Sequence, residues 1–400
     1  MAAGPPRDAE TAATESKRAQ FTDPAPDTDG NADADADTDT DSDAGTSGPS
    51  RRRLLSAAAA GSVAALAGCT GAIGGEAPLR VSIWSGNYAD RFEESVVPRY
   101  EAEHDVDVEI HRGWNEILTD IRSAPADDPP YDVTVAEGNF YYYGRQADLF
   151  EPIRTENLEN VGEIIDFYRE MRDTEYGLPV DGAPCTIIHR EDMDLEFDSW
   201  SALAADAVQN SAGIGVDTGF WWYPLYATAI AMDDERGAEE MHDPAMHDDV
   251  LETFEGFNVS SWASSGEDIW QAFDNEVIDV AQWYYDQTAY DIDDYDGLTH
   301  TMPEQTTGWL NNWSVVRGTD KRDEAEGFID FLLDADVQSA WAEHAPLVFS
   351  NRNVDYPSEL EADMPTTTEE AETIAFPDWE TIGSHDDDLS EAFTAIQQGS

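Results

Sequence analysis

The stretch from residue 79 to residue 110 narrows the fold more than any other. Leu79-Arg80-Val81-Ser82-Ile83-Trp84 is apolar at every second position, the period of a strand with one buried face. Asp90, with Glu93 three residues on, opens an amphipathic helix whose Phe92, Val96 and Tyr100 share one face and which Pro98 must kink. The alternation resumes in DVDVEI, residues 105–110, and predicts a second strand. A strand, a helix and a strand in so short a span form a parallel crossover unit, so the fold class is α/β. Further strands are predicted over 131–135, over PCTIIH around Cys185, and over VIDVAQW ending at Trp283. Helices are predicted over 324–333, with Phe328, Ile329 and Leu332 inward, and over 334–344, with Val337 and Trp341 inward.

Charge decides which partners such a fold can have. The 400 residues carry 86 acidic against 21 basic side chains, a net charge of -65, and Lys occurs only at positions 17 and 321. That surface repels phosphate backbones and excludes nucleic acid as a partner. Dense carboxylates with almost no Lys point to adaptation to high salt, where ions screen the self-repulsion. Intrinsic disorder of the whole chain is excluded by its 12 Trp, 15 Tyr and 15 Phe, which supply core-forming residues.

Residues 1–50 are a different case, rich in Asp, Ala, Thr, Ser, Gly and Pro, and are expected to be disordered. Next comes a basic-to-apolar switch, RRRLLSAAAAGSVAALAGC, whose apolar part is too short and too Ala-rich to span a bilayer. Residues 51–68 read as a signal peptide: Arg51 and Arg52 resemble a twin-arginine export signal. Leu66-Ala67-Gly68-Cys69 resembles a lipobox, in which Cys69 is lipidated and becomes the mature N-terminus. Residues 69–78 are then a tether, and Cys185 is left as a lone thiol of the small buried kind.

Ligands of open α/β sheets sit beyond the carboxyl ends of strands. Three predicted strand ends share one chemistry: Trp84-Ser85-Gly86-Asn87-Tyr88, Glu137-Gly138-Asn139-Phe140 with the tyrosines after it, and Trp283-Tyr284-Tyr285-Asp286. Aromatic faces among a few amide, hydroxyl and carboxylate groups suit a small organic ligand, above all a cation. Metal chemistry fares worse. DIDDYDG, residues 291–297, puts Ile292 and Pro303 where a calcium loop needs oxygen ligands, and His242 and His247 lack helical ligand spacing. Tyr284 with Tyr285 leaves a ferric-ion binder as an alternative. No nucleophile elbow, zinc motif or phosphate loop is present, so no catalytic residue is assigned. A secreted carbohydrate hydrolase that stacks sugars on aromatics is a second alternative.

The segments LRVSIWSGNYADRFEESVVPRYEAEHDVDVEI, YDVTVAEGNFYYYGRQADLFEPI, YGLPVDGAPCTIIHR and GWLNNWSVVRGTDKRDEAEGFIDFLLDADVQSAWAEHAPLVFSNRN, in that order, resemble the extracellular solute-binding lipoproteins of ABC importers. Within these they are most similar to the spermidine/putrescine-binding type, in a haloarchaeal-like form. The resemblance implies a two-lobed, type II periplasmic-binding-protein fold with a hinge and an interlobe ligand cleft. Lobe 1 would be 79–177 with 309–344, lobe 2 would be 178–308 with 345–400, and the hinges would lie near Pro179 and Glu304. It implies a monomer that binds a small-molecule ligand, needs no cofactor or metal, and turns nothing over. The ligand would pass to a membrane permease and its ATPase at the outer face of the cell membrane. Trp84, Ser85 and Tyr88 match the family's first aromatic group, Glu137 and Asn139 its polar contacts, Trp283 and Trp309 its sandwiching tryptophans, and Trp379-Glu380 a late contact. Two anchoring carboxylates of that family are replaced. Beyond Asp217 the second acid is Trp221, and the acid two residues past Trp309 is Asn311. The aromatic box is kept while its charge is reduced, which implies a monoamine, a bulkier or quaternary cation, or a neutral compound.

Overall fold

The computed structural model describes residues 77–233 and 236–399. Arg51, Arg52, Cys69 and the acidic segment 1–50 therefore lie outside the described residues. Among the described residues no helix is long and apolar enough to cross a membrane.

Among the described residues, eleven strands form one sheet. They are β1 (Leu79–Trp84), β2 (Val108–Gly113), β3 (Val133–Glu137), β4 (Leu178–Arg190), β5 (Ile214–Asp217) and β6 (Val259–Ala263). β7 (Val280–Tyr284), β8 (Leu298–Thr301), β9 (Thr306–Val315), β10 (Val348–Phe349) and β11 (Ile374–Ala375) complete it. The main path is β2-β1-β3-β9-β4-β7-β5-β6, with parallel pairs at both ends and antiparallel β9 and β4 between them. The expected parallel unit is present: β1 pairs with β2 in parallel, Leu79 opposite Val108.

Local chemistry moved several boundaries. The predicted helix is two, Asn87–Ser95 and Val97–His104, because Pro98 sits in the first turn of the second, where its missing N–H costs nothing. That second helix ends on Asp105 at φ 53°, so Asp105-Val106-Asp107 forms the turn and β2 begins only at Val108. β3 begins two residues later than its alternation indicates and runs to Glu137. β4 is far longer than PCTIIH, with 13 residues.

Two apolar cores flank the middle of the sheet. The first gathers Leu79, Ile83, Phe92, Val133, Leu178, Leu310, Trp313, Phe328 and Trp341; the second gathers Ile187, Trp200, Val216, Leu225, Phe254, Val280 and Phe393. β4 runs from one to the other, giving Leu178, Val180 and Ala183 to the first and Cys185, Ile187 and Ile188 to the second. Trp309 packs against both. The C-terminal segment is divided between them, whereas the expected boundaries placed all of 345–400 with the second lobe. Leu347, Phe349, Tyr356 and Phe376 pack on the first core because β10 pairs with β4 at Gly182 and Asp181. Trp379, Ile382, Leu389 and Phe393 pack on the second.

Candidate functional site

The registers of three neighbouring strands place three polar residues in one row. Asn311 on β9 stands opposite Glu137 on β3 and opposite Asp181 on β4. Residues paired across strands share a face about 5 Å apart, so two acids flank one amide. All three are buried.

Asp181 organises one side of the row. Its Oδ1 accepts from Trp313 Nε1 at 2.8 Å; its Oδ2 accepts from Asn311 Nδ2 at 2.9 Å and from the Tyr88 hydroxyl at 3.0 Å. Asn311 Oδ1 in turn accepts from Trp84 Nε1 at 3.0 Å. The rings around this network are Trp309, edge-on to Tyr88 at 6.3 Å, and Phe140, edge-on to Trp84 at 5.1 Å. Exposed Trp114 stacks on Trp84 at 6.0 Å. Burial pushes the Asp181 carboxyl up to about 6 against the pull of its three donors.

Asp217 ends β5 on the other side of the sheet's centre. Its Oδ1 accepts from the backbone N–H groups of Gly219 and Phe220, at 2.6 and 2.8 Å, and its Oδ2 from the Tyr284 hydroxyl at 2.9 Å. Burial raises it to about 6 as well. Asp286, just after β7, is likewise raised by burial to about 6, with Arg91 opposing, and its Oδ1 has no hydrogen-bond partner. Arg91 Nη1 donates to the Asp286 backbone carbonyl at 3.2 Å and its guanidinium lies 4.1 Å from the Tyr290 ring, tying the helix after β1 to the helix after β7. Glu137 is raised by burial to about 7, with Arg172 and the N–H groups of Gly138 and Asn139 pulling it down.

Trp84, Tyr88, Asn311 and Trp309 thus come together. Ser85 is half-buried beside them, its N–H bonded to Gly113 O at 3.0 Å. Asn139 turns its Oδ1 to the Phe140 N–H at 2.8 Å. Trp283 is buried in the second core and donates to Gln287 Oε1 at 3.0 Å. Trp221 donates to Asp386 Oδ1 at 2.8 Å and packs edge-on against Trp379. Glu380 stands apart: its carboxylate is exposed and pairs with Arg145 at 2.7 Å.

Three residues of this region escaped the sequence reading. Asp181 left a signal, a single acid inside the apolar run LPVDGAPCTII, where a charge is costly unless it is used. In the sequence Asp286 is one residue of an aromatic strand end, and Arg172, in EMRDTEYG, looks like any surface arginine. The ferric reading has no geometry in its favour. Tyr284 and Tyr285 turn their hydroxyls to different acids, Asp217 and Asp363, and burial raises both phenols. Among the described residues no group of three His, Cys, Asp or Glu side chains is placed to hold a metal.

Residues 85–339 match the family model described as bacterial extracellular solute-binding protein. The chain belongs to that family. No curated protein matches this solute-binding protein. Among solved structures it is similar to the spermidine/putrescine ABC transporter substrate-binding protein PotD from Streptococcus pneumoniae, at 14% identity and TM-score 0.67, covering 81% of this chain and 99% of that one. It is also similar to AgtB from A. tumefaciens R10 in complex with agropinic acid, at 17% identity and TM-score 0.62, covering 80% and 98%. A GABA receptor aligns at 16% identity and TM-score 0.66, covering 80% and 98%. At these identities the likeness establishes the fold, the two-lobed periplasmic-binding-protein architecture.

Proposed function

We propose that this solute-binding protein is the substrate-binding component of an ABC-type importer. It captures a small organic cation, polyamine-like in its amine chemistry, at the row Glu137–Asn311–Asp181 and delivers it to a permease and its ATPase. The observation that carries this reading is Asp181. The acid missing at position 311 reappears directly across the ladder, held by Tyr88, Asn311 and Trp313 and ringed by Trp84 and Trp309. A buried carboxylate among aromatic rings gains most from a ligand cation, through charge and ring quadrupoles together. PotD, named for spermidine and putrescine, lends support by analogy.

The two cores are the two lobes in this reading, with β4 and β9 as the crossing strands about which they close, the hinge motion described for periplasmic binding proteins. Export by the Arg51-Arg52 signal and lipidation of Cys69 would hold the protein, a monomer, at the outer membrane face.

A thermal-shift screen in molar salt tests the reading, since a ligand of the native form raises the midpoint with its concentration. The screen should cover polyamines, quaternary amines, amino acids, sugars and ferric iron. Amines are expected to shift the midpoint, and Trp84→Ala and Asp181→Asn to abolish the shift. A shift by sugars or iron alone, or an amine shift that survives both substitutions, overturns the assignment.

A further inference from the structure

On the β3 side of the row, several buried polar atoms lack partners among the described residues. Arg172 follows the helix Asp166–Met171 and is 6% exposed; its Nη1 donates to Pro377 O at 2.8 Å, but its Nε and Nη2 have no acceptor. Trp379, 2% exposed, has an unpartnered indole N–H. Both groups pack against Gly138. A Cβ on Gly138 would lie 2.6 Å from Trp379 Nε1 and 2.7 Å from Arg172 Nη2, so the absent side chain there lets them close over the end of β3. Beside them is Glu137, 8% exposed, whose Oε1 is also unpartnered. Glu137 and Arg172 feel each other's charge, yet no hydrogen bond joins these free atoms.

Leaving buried charged donors and an acceptor unsatisfied side by side is costly, since each has given up its hydration without a protein partner in return. A molecule carrying an anion next to a cation would satisfy them together. We infer that Arg172 and Trp379 form an acid-binding subsite and that the ligand is a zwitterion of amino-acid type. Its carboxylate takes the Arg172 Nε and Nη2 and Trp379 Nε1 donors, and its ammonium faces Glu137 and the Asn311–Asp181 pair. This deepens the cation reading above and rests on it: the amine is kept, and an acid is added.

The test is calorimetric titration of the mature protein in molar salt with three probes of one chain length: putrescine, 4-aminobutanoate and butanoate. The expected result is 4-aminobutanoate tightest, by at least about tenfold over putrescine, the scale of one charged hydrogen-bonded contact. Arg172→Gln should weaken 4-aminobutanoate about 100-fold and should not weaken putrescine, whose ammonium groups lose a like charge beside them. Trp379→Phe, which keeps an aromatic ring but removes the N–H with part of the buried indole, should weaken 4-aminobutanoate about tenfold. Arg172→Lys, which keeps the charge, should fall between. If putrescine binds and 4-aminobutanoate does not, or if Arg172→Gln weakens both equally, the inference falls while the cation reading stands. If butanoate binds as well as 4-aminobutanoate and putrescine does not bind, the cation reading falls, and the zwitterion assignment that rests on it falls with it. If none of the three binds, both fall. Repeating the titration with sulfate in place of chloride separates the remaining source of an anion: binding by chloride alone, displaced by no carboxylate, also overturns the inference.

Discussion

Asp181 has no exposed surface and three donors, so its effects on folding and on binding run in opposite directions with pH. Burial raises its folded-state value to about 6, above the unfolded value of about 3.9, so the native state holds this proton more tightly. The cost of ionising it is absent below about 3.9, grows as pH rises, and is complete above about 6. Asp181→Asn should therefore flatten the stability slope between those limits, read from urea midpoints at several pH values. Cation binding wants the ionised form. Amine affinity should rise with pH as Asp181 ionises at about 6 and Glu137 at about 7, by at most about tenfold per unit for each proton, and level off above that; a profile without the lower step would remove Asp181 from the site. The residue scale is also where the sequence was least legible. Trp84, Tyr88 and Asn311 could be chosen because motif and order singled them out. Arg172 could not, because what distinguishes it is burial against residues some two hundred positions away, as in its bond to Pro377.

At the scale of elements, caps and ring packing hold the scaffold. Asp334 caps the helix Ala335–Ala342, its side chain accepting from the N–H groups of Asp336 at 2.9 Å and Val337 at 3.2 Å. Asp334→Ala should cost about 1 kcal/mol in chemical denaturation and leave ligand affinity unchanged. Phe92 stacks on Trp313 at 5.3 Å and meets Trp341 edge-on at 5.1 Å. Because Trp313 also donates to Asp181, Phe92→Ala should cost about 3–5 kcal/mol and weaken binding as well, measured on the same samples. Periodicity located most of these elements, since one-sided burial writes itself into alternation. It missed the extent of β4, buried along nearly its whole length, where no alternation can appear. It missed the break at Val96 because Phe92, Val96 and Tyr100 keep one apolar face across two helices.

For the whole molecule, charge and connectivity dominate. A net charge of -65 implies strong self-repulsion that salt relieves, the Debye length shrinking to about 3 Å at 1 M. The thermal midpoint should rise steadily from 0.1 M to molar salt, each about the concentrations at which screening goes from partial to nearly complete. Because β4 serves both cores and the C-terminal segment packs on each in turn, neither core is a separable folding unit. Calorimetry should record a single transition, whereas two resolved transitions would mark independent lobes.

The stacked pair Trp84 and Trp114 has an optical consequence. One indole is nearly enclosed and hydrogen-bonded to Asn311, while the other is 51% exposed with its ring almost parallel to it, at 12°. With the site proposed above, a solute entering beside Trp84 would change the surroundings of both at once. The wild-type chain therefore carries its own emission probe, and acrylamide quenching of Trp114 should report occupancy of the cleft without any attached dye.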